Sequence, residues 1–143
     1  MRGVLVHRVR YHEADAQGFL FNSRYLELAD VAMTEFFRAL GFPYAHLVSA
    51  GADPSVVKAS VEFRLPARFD EVLDIAVGCT RVGVASFDLA TVVTRGQDTV
   101  AELLLTYVNV EARTATSRPL PEAVASALRE EQADDVDGLE IDQ

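Results

Sequence analysis

Polar and apolar residues alternate near the N-terminus, which is the pattern of a β-strand with one buried face. One face carries Leu5, His7, Val9 and Tyr11, and the opposite face carries Val6, Arg8 and Arg10. We therefore predict a first strand over residues 4–12. The next six residues, 13–18, are small or polar and end in a glycine, so they are expected to form an exposed loop.

The period then changes to that of an α-helix between Ser23 and Leu40. Its apolar stripe contains Tyr25, Ala29, Ala32, Phe36 and Leu40, with Leu28, Met33 and Phe37 beside it. Asn22 or Ser23 is placed to cap the start, and Gly41 is placed to end the helix in a left-handed conformation. Such a helix is about 27 Å long. Because its stripe is broad, we expect a sheet to wrap around it.

Four more strand-like segments follow, over residues 57–65, 72–82, 84–94 and 99–110. They are separated by residues 66–70, by Gly83 and by residues 96–98, and these three joints are short enough for antiparallel hairpins. A strand, one long helix and four strands predict an α+β domain in which a curved antiparallel sheet surrounds the helix.

The C-terminal part has a different composition. Residues 122–129 are expected to form a short helix, whereas residues 129–143 hold seven acids and one arginine. This segment supplies −6 of the net charge of −9 and has few apolar residues, so we expect it to be disordered. The 143-residue chain is thus interpreted as a single domain over residues 1–128 with an acidic tail over 129–143.

Composition excludes several classes of function. The acidic balance argues against nucleic-acid binding, which needs a dense basic surface. Neither a secretory signal nor a run of about 20 apolar residues occurs, and the single cysteine, Cys79, cannot form an intramolecular disulfide. Three scattered histidines give no zinc motif. We expect a cytoplasmic protein without membrane partner or metal.

Asp15 is the main candidate for chemistry, because it lies in the loop before the long helix, close in sequence to Gly18 and Asn22. The first N–H groups of a helix lack intrahelical partners and are well placed to stabilise developing negative charge. Serine-hydrolase, phosphate-loop and HExxH motifs are absent from the sequence. For an isolated aspartate, a turn or capping role is the simpler interpretation.

Three segments of the chain also resemble a known family. The run YHEADAQGFLFNSRY over residues 11–25 is similar to the loop and helix start of hotdog-fold acyl-CoA thioesterases, in the 4-hydroxybenzoyl-CoA thioesterase and YbgC-like family. Residues 61–73 and 118–121 resemble later family segments, so that the likeness spans about residues 5–124. The resemblance implies a hotdog fold, thioester hydrolysis, and a homodimer or dimer of dimers with the acyl site at the subunit interface.

The resemblance also implies roles for individual residues. Asp15 matches the catalytic carboxylate, acting as nucleophile or as general base, and both alternatives stay open. The four backbone N–H groups of residues 22–25 at the helix start are expected to supply the oxyanion donors, with Asn22, Ser23 and Tyr25 as candidate catalytic residues. Many relatives carry histidine where this chain has Asn22, so an imidazole role does not transfer. Asn22 is equally an N-cap or an amide that faces the substrate.

Substrate contacts are expected along the same cleft. The candidate substrate-binding residues are Gly18, Phe21, Asp30, Lys58, Phe63, Arg64 and Arg68. The acyl group is expected near Phe21, Tyr25 and Phe63, and at least one of the three basic residues is expected to meet the phosphates of CoA. No cofactor is needed, since CoA is part of the substrate.

Several alternatives remain open at this point. Glu13 is either functional or a solvated loop charge. Asp30 either touches substrate or a partner subunit, or it interacts with Arg24 or solvent. A thioesterase acting on acyl carrier protein has the same chemistry with a different carrier. A hotdog dehydratase would need a histidine, for which His12 is the candidate, and a non-catalytic acyl-thioester binder would not need Asp15.

Overall fold

The computed structural model describes residues 1–138, with side chains to residue 132. Its elements are β1 (Arg2–Arg8), a 3-10 turn (Tyr11–Glu13), α1 (Arg24–Ala39), α2 (Tyr44–Ser49), β2 (Pro54–Phe63), β3 (Val72–Val82), β4 (Ser86–Arg95), β5 (Asp98–Glu111), β6 (Thr116–Ser117) and α3 (Glu122–Gly138). The long strands form one antiparallel sheet in the order β1-β3-β4-β5-β2, and β6 pairs with β5.

The sheet curls around α1, as the hydrophobic pattern predicts. The buried residues of α1 are Tyr25, Leu28, Ala29, Ala32, Met33, Phe36 and Phe37. At the helix end, Phe37 packs edge-on against Phe87 of β4, whose ring stacks on Tyr107 of β5 with 5.2 Å between centroids. Rings of this size bury much apolar area, so this cluster is a major part of the core. The predicted α+β hotdog architecture is confirmed.

The boundaries of the helix are also confirmed, to within one residue at each end. Gly41, just beyond it, has φ of 94°, the left-handed conformation expected there. The prediction of a side-chain cap is wrong, however. Ser23 occupies the cap position in an α-helical conformation and its side chain makes no capping hydrogen bond.

Strand predictions are accurate in the centre of the sheet and wrong at its edges. β3 has the predicted bounds, but β1 ends at Arg8 because the chain turns into the 3-10 helix at residues 11–13. The hairpin expected between β2 and β3 does not form, since β2 pairs with β5 at the far edge. Both faces of β2 are largely exposed in the described part of the chain, as fits a strand at the edge of the sheet. The sequence analysis did not predict α2 or β6.

Helix α3 extends beyond the predicted end at residue 129 and reaches Gly138. Residues 129–138 thus belong to a helix at the place where the sequence analysis expects the acidic tail to begin. Two tertiary contacts help to hold this part: Arg2 Nη2 lies 2.6 Å from Glu131 Oε1, and Gln132 Nε2 donates to the carbonyl oxygen of Thr80 at 3.2 Å. The end of the predicted tail, residues 139–143, lies outside the described residues.

Candidate active site

Asp15 lies at the first position of a tight turn in the loop before α1. Its own carbonyl oxygen accepts a hydrogen bond from Gly18 N–H at 3.0 Å, and Gly18 has φ of 79°, which favours glycine. The backbone N–H groups of Gln17 and Phe19 donate to Asp15 Oδ1 at 2.8 and 3.1 Å. Both side-chain bonds end on Oδ1, so within the described residues Oδ2 has no hydrogen-bond partner.

The loop is a short hairpin that is tied to its surroundings at several points. Asp15 N–H donates to the Phe19 carbonyl at 2.8 Å, and Phe21 N–H donates to the Glu13 carbonyl at 2.9 Å. Leu20 N–H donates to the carbonyl of Ala67 at 2.7 Å. These bonds fix the hairpin, so the Asp15 carboxyl group is held in one place before substrate binds.

The start of α1 leaves two amide groups available. Arg24 N–H donates to the Phe21 carbonyl at 2.9 Å, and Tyr25 N–H donates to the Asn22 carbonyl at 3.3 Å. By contrast, the N–H groups of Asn22 and Ser23 have no acceptor among residues 1–138. Of the four amides expected as oxyanion donors, the structure therefore favours those of Asn22 and Ser23.

A cavity of about 340 Å³ brings the main candidates together. The predicted site residues along its wall are Asp15, Phe21, Asn22, Tyr25, Phe63 and Arg64. Tyr25 and Phe63 meet edge to face with 5.2 Å between ring centroids, which joins α1 to the end of β2. Phe19 also lines the cavity and was missed, although its place in the matched loop was a usable signal.

The Tyr25 side chain forms a buried part of this wall and is 2% exposed. Burial raises the pKa of its hydroxyl group, and a hydrogen bond from the Ala67 backbone N–H partly opposes that shift. Tyr25 is therefore neutral at physiological pH. Its contribution to the site is the ring and the polar hydroxyl, since its backbone amide already has an acceptor.

The remaining predicted residues do not line the cavity within one chain. Gly18 and Ser23 belong to the turn and the helix start, respectively, and Asp30, Lys58 and Arg68 are not among the lining residues. Arg24 pairs with Glu27 instead of Asp30, since Arg24 Nη1 lies 3.0 Å from Glu27 Oε2. Asp30 is exposed, which fits the alternative that it faces solvent.

The predicted basic residues differ in how free they are to bind a substrate. Arg64 is held between Glu62 and Glu102, with Nη2 2.6 and 2.8 Å from their oxygens. The Arg68 guanidinium lies 4.7 Å from the centre of the Phe19 ring. A phosphate group would thus have to compete with two carboxylates for Arg64, whereas Arg68 is engaged mainly by an aromatic face.

Glu13 is buried, not the solvated loop charge that was one interpretation of it. Its Oε1 atom accepts from Arg10 N–H at 2.7 Å and lies 2.8 Å from His7 Nε2. Burial raises its pKa, but the bonds from Arg10 and His7 outweigh this and leave the pKa below the ordinary value. Glu13 lines a separate cleft of about 360 Å³ between β1 and α1, and not the cavity of Asp15.

The described part of the chain contains neither a cluster of metal ligands nor a membrane-spanning helix. Among its described residues, no group of three or more histidine, cysteine, aspartate or glutamate side chains is arranged to hold a metal ion. No described helix combines the length and apolar character needed to cross a membrane.

Comparisons with known proteins agree on one family. The family model described as "Thioesterase-like superfamily" matches residues 9–128. The acyl-CoA thioester hydrolase YbgC of Escherichia coli O6:H1 is 27% identical over 126 residues, 86% of this chain and 92% of that protein. The 1,4-dihydroxy-2-naphthoyl-CoA hydrolase of Nostoc punctiforme is 27% identical over 130 residues, 88% of this chain and 86% of its own. A solved gentisyl-coenzyme A thioesterase matches with a TM-score of 0.78 and 25% identity, over 88% of this chain and 98% of that one.

Proposed function

Because the chain belongs to the thioesterase-like superfamily, we propose that it hydrolyses acyl-CoA thioesters to the free acid and CoA, with Asp15 as the reacting carboxylate. The resemblance found in the sequence is thereby confirmed at the level of family, fold and reaction class. One observation carries the assignment of Asp15: its unpartnered Oδ2 and the unpartnered amides of Asn22 and Ser23 belong to one short segment beside one cavity.

Two routes fit this arrangement. In the first, Asp15 takes a proton from water, the water oxygen bonds to the thioester carbon, and the C–S bond breaks to release CoA thiolate, which is then protonated. In the second, Asp15 Oδ2 attacks the carbon itself, CoA thiolate leaves, and water hydrolyses the resulting anhydride. Both routes give the same products and neither needs a metal or cofactor.

The amides of Asn22 and Ser23 are proposed as oxyanion donors in either route. The thioester oxygen gains negative charge when the carbon becomes tetrahedral, and preorganised N–H donors stabilise that charge. The positive end of the α1 dipole acts in the same direction. Neither amide has to break a protein hydrogen bond to donate, so this stabilisation is available without reorganisation.

Substrate orientation follows from the cavity wall. We propose that the acyl group packs against Phe21, Tyr25 and Phe63, while the CoA phosphates approach the exposed basic residues Lys58, Arg64 and Arg68. Four aromatic rings line the cavity when Phe19 is included. Flat rings suit an aromatic acyl group, because edge-on and stacked ring pairs add to simple apolar burial.

The test is thiol release measured with benzoyl-, short-chain and long-chain acyl-CoA, each against the same acyl group on acyl carrier protein. We expect CoA esters to be hydrolysed, with benzoyl-CoA preferred. Faster turnover of the carrier-protein esters would indicate that the substrate is an acyl carrier protein thioester instead of an acyl-CoA. Binding without thiol release from any ester would contradict the hydrolase function.

We also propose that two copies pair through β2 to form a homodimer. This strand lies at the sheet edge, is exposed on both faces, and carries Val56, Val57 and Phe63, which are 44%, 60% and 54% exposed. An exposed apolar edge strand is prone to pair with another strand. Phe63 also lines the Asp15 cavity, so pairing here would place the site at the interface.

The dimer is tested by sedimentation velocity on the wild type and on Val57→Lys, which puts a charge at the middle of the edge. We expect the wild type to have twice the mass of the chain, or four times if dimers associate, and the variant to dissociate and lose activity. A wild type that sediments as a monomer would refute the pairing. A cytoplasmic location is proposed as well, since the single cysteine of the sequence, Cys79, cannot form an intramolecular disulfide and a reducing compartment suits such a chain.

A further inference from the structure

Glu13 is a buried carboxylate that the proposed reaction does not use. It is 6% exposed, and one of its oxygens, Oε1, receives both of its side-chain hydrogen bonds. The donors are the backbone of Arg10 and the ring of His7, whose side chain is 12% exposed. Removing a carboxylate from water is costly, so a buried one that is kept in an ionised state needs such donors.

The position of Glu13 in the backbone links this pair to the active-site loop. Its side chain fixes residue 10 and strand β1, while its carbonyl oxygen accepts the N–H of Phe21 at 2.9 Å. Phe21 in turn accepts the N–H of Arg24 with its carbonyl at 2.9 Å. Glu13 therefore joins strand β1 to both ends of the hairpin. It lies two residues before Asp15, and it bonds to Phe21, the residue before Asn22.

The surroundings of Glu13 explain why a carboxylate is used at this place. The charged or titratable side chains along the neighbouring cleft are His7, Arg10, His12, Arg24 and Glu27. His7 and His12 favour the ionised form of Glu13 electrostatically, and the hydrogen bond from the Arg10 backbone acts in the same direction. Arg24 is already paired with Glu27 on α1.

On these grounds we infer that Glu13, held by His7, is a positioning residue that sets the distance between the Asp15 carboxylate and the Asn22 and Ser23 amides. The expected effect of Glu13 on kcat rests on the proposed function. Without the Glu13 acceptor, the base of the hairpin is free to shift relative to β1, while the cavity wall formed by Tyr25 and Phe63 stays in place. Misplacement of reacting groups by about 1 Å costs on the order of 100-fold in rate.

The test compares Glu13→Ala with Glu13→Gln, whose side-chain oxygen is able to accept both hydrogen bonds. We expect Glu13→Ala to lower kcat by about 100-fold with KM little changed, because ground-state binding is retained while the reacting groups are misplaced. Glu13→Gln should restore most of kcat. Equal kcat for wild type and Glu13→Ala, or equal losses in Ala and Gln variants, would overturn the inference.

A control separates positioning from stability. Asn109 is fully buried, and its side chain bonds to the backbone of Gly51, Asp53 and Pro119, away from the cavity. Asn109→Ala should lower the melting temperature without the kcat loss of Glu13→Ala. If both variants lose kcat in proportion to stability, the role of Glu13 is structural and the inference fails.

Hydrogen exchange gives a second measurement that does not depend on catalysis. In Glu13→Ala, the amides of Phe19 and Phe21 should exchange faster while those in the centre of β4 and β5 are unchanged. This readout holds even if wild type releases no thiol from any ester, an outcome that would refute the proposed function alone. Unchanged exchange in the hairpin would refute the positioning role.

Discussion

Replacing Asp15 by asparagine separates the chemical role of this side chain from its structural role. Gln17 and Phe19 both donate to Oδ1, and an asparagine oxygen in that position accepts the same two bonds. The change then replaces only the free Oδ2 with an NH2 group, which cannot take a proton from water or attack a carbonyl. Asp15→Asn should therefore fold with the hairpin intact.

The size of the effect can be worked out from these contacts. Two hydrogen bonds become neutral instead of charge-assisted, which lowers stability by about 1 kcal/mol. Loss of a general base typically costs about 100- to 10,000-fold in rate, or about 3 to 5 kcal/mol of transition-state stabilisation. Because the catalytic loss exceeds the stability loss, kcat should collapse in a protein that is still folded at the assay temperature.

The assay measures thiol release and binding on the same preparation. We expect kcat to fall by several orders of magnitude, while the affinity for a non-hydrolysable acyl-CoA thioether stays within about threefold of wild type. Asp74→Asn is the matched control, since Asp74 is an exposed acid on β3 outside the cavity. Turnover of Asp15→Asn near the wild-type rate would refute Asp15 as the reacting group.

Three further predictions test the oxyanion donors, the acyl pocket and the ion pair between Arg81 and Asp88. Ser23 has φ of −69°, a value that proline adopts, so Ser23→Pro removes one free N–H without changing this dihedral angle. In the thiol-release assay, Ser23→Pro should lower kcat about 100-fold, whereas Ser23→Ala should match wild type. Phe63→Ala removes the ring against Tyr25 and should raise KM for benzoyl-CoA about 10-fold with little change in melting temperature, and an unchanged KM would place the acyl group elsewhere. Hydrogen bonds from Arg81 lower the pKa of Asp88 below its ordinary value of 3.8. The pair therefore stabilises the fold above that pH, and this stabilisation is lost as pH falls through the lowered pKa. Urea titrations between about pH 5 and pH 3 should show that the free energy of unfolding falls less steeply with pH in Asp88→Asn than in wild type.

The sequence predicts the elements whose residues are buried in a regular pattern. Helix α1 and strand β3 have the expected bounds because tertiary packing reinforces their local periodicity. Strand β2 shows the limit of this reasoning. It alternates like a half-buried strand, yet it lies exposed at an edge in the single chain. Alternation indicates a face that is suited to burial and does not say whether the same chain or another one covers it.

Long-range pairing was the second limit. The joint over residues 66–70 is short enough for a hairpin, but it instead carries the chain past the active-site loop, where Ala67 accepts from Leu20. Short spacing permits a hairpin without requiring one. Helix α2 is only six residues long, and β6 only two, so neither gives a periodic signal that is longer than chance.

In the candidate site as well, features set by nearby residues could be predicted from the sequence, whereas features set by long-range contacts could not. Asp15, Gly18 and Asn22 are close in sequence, so their proximity at the helix start was accessible from the chain alone. The identity of the oxyanion donors was not, because it depends on which amides find acceptors. The Arg24 amide, for example, already donates to the Phe21 carbonyl. The burial of Glu13 also depends on β1 lying beside the loop, a contact that no spacing in the sequence encodes. Glu13 lies two residues from the reacting carboxylate, is buried, and is held by His7 on another element. The precision that the loop needs explains this arrangement best, since a solvated loop charge would need no such partners.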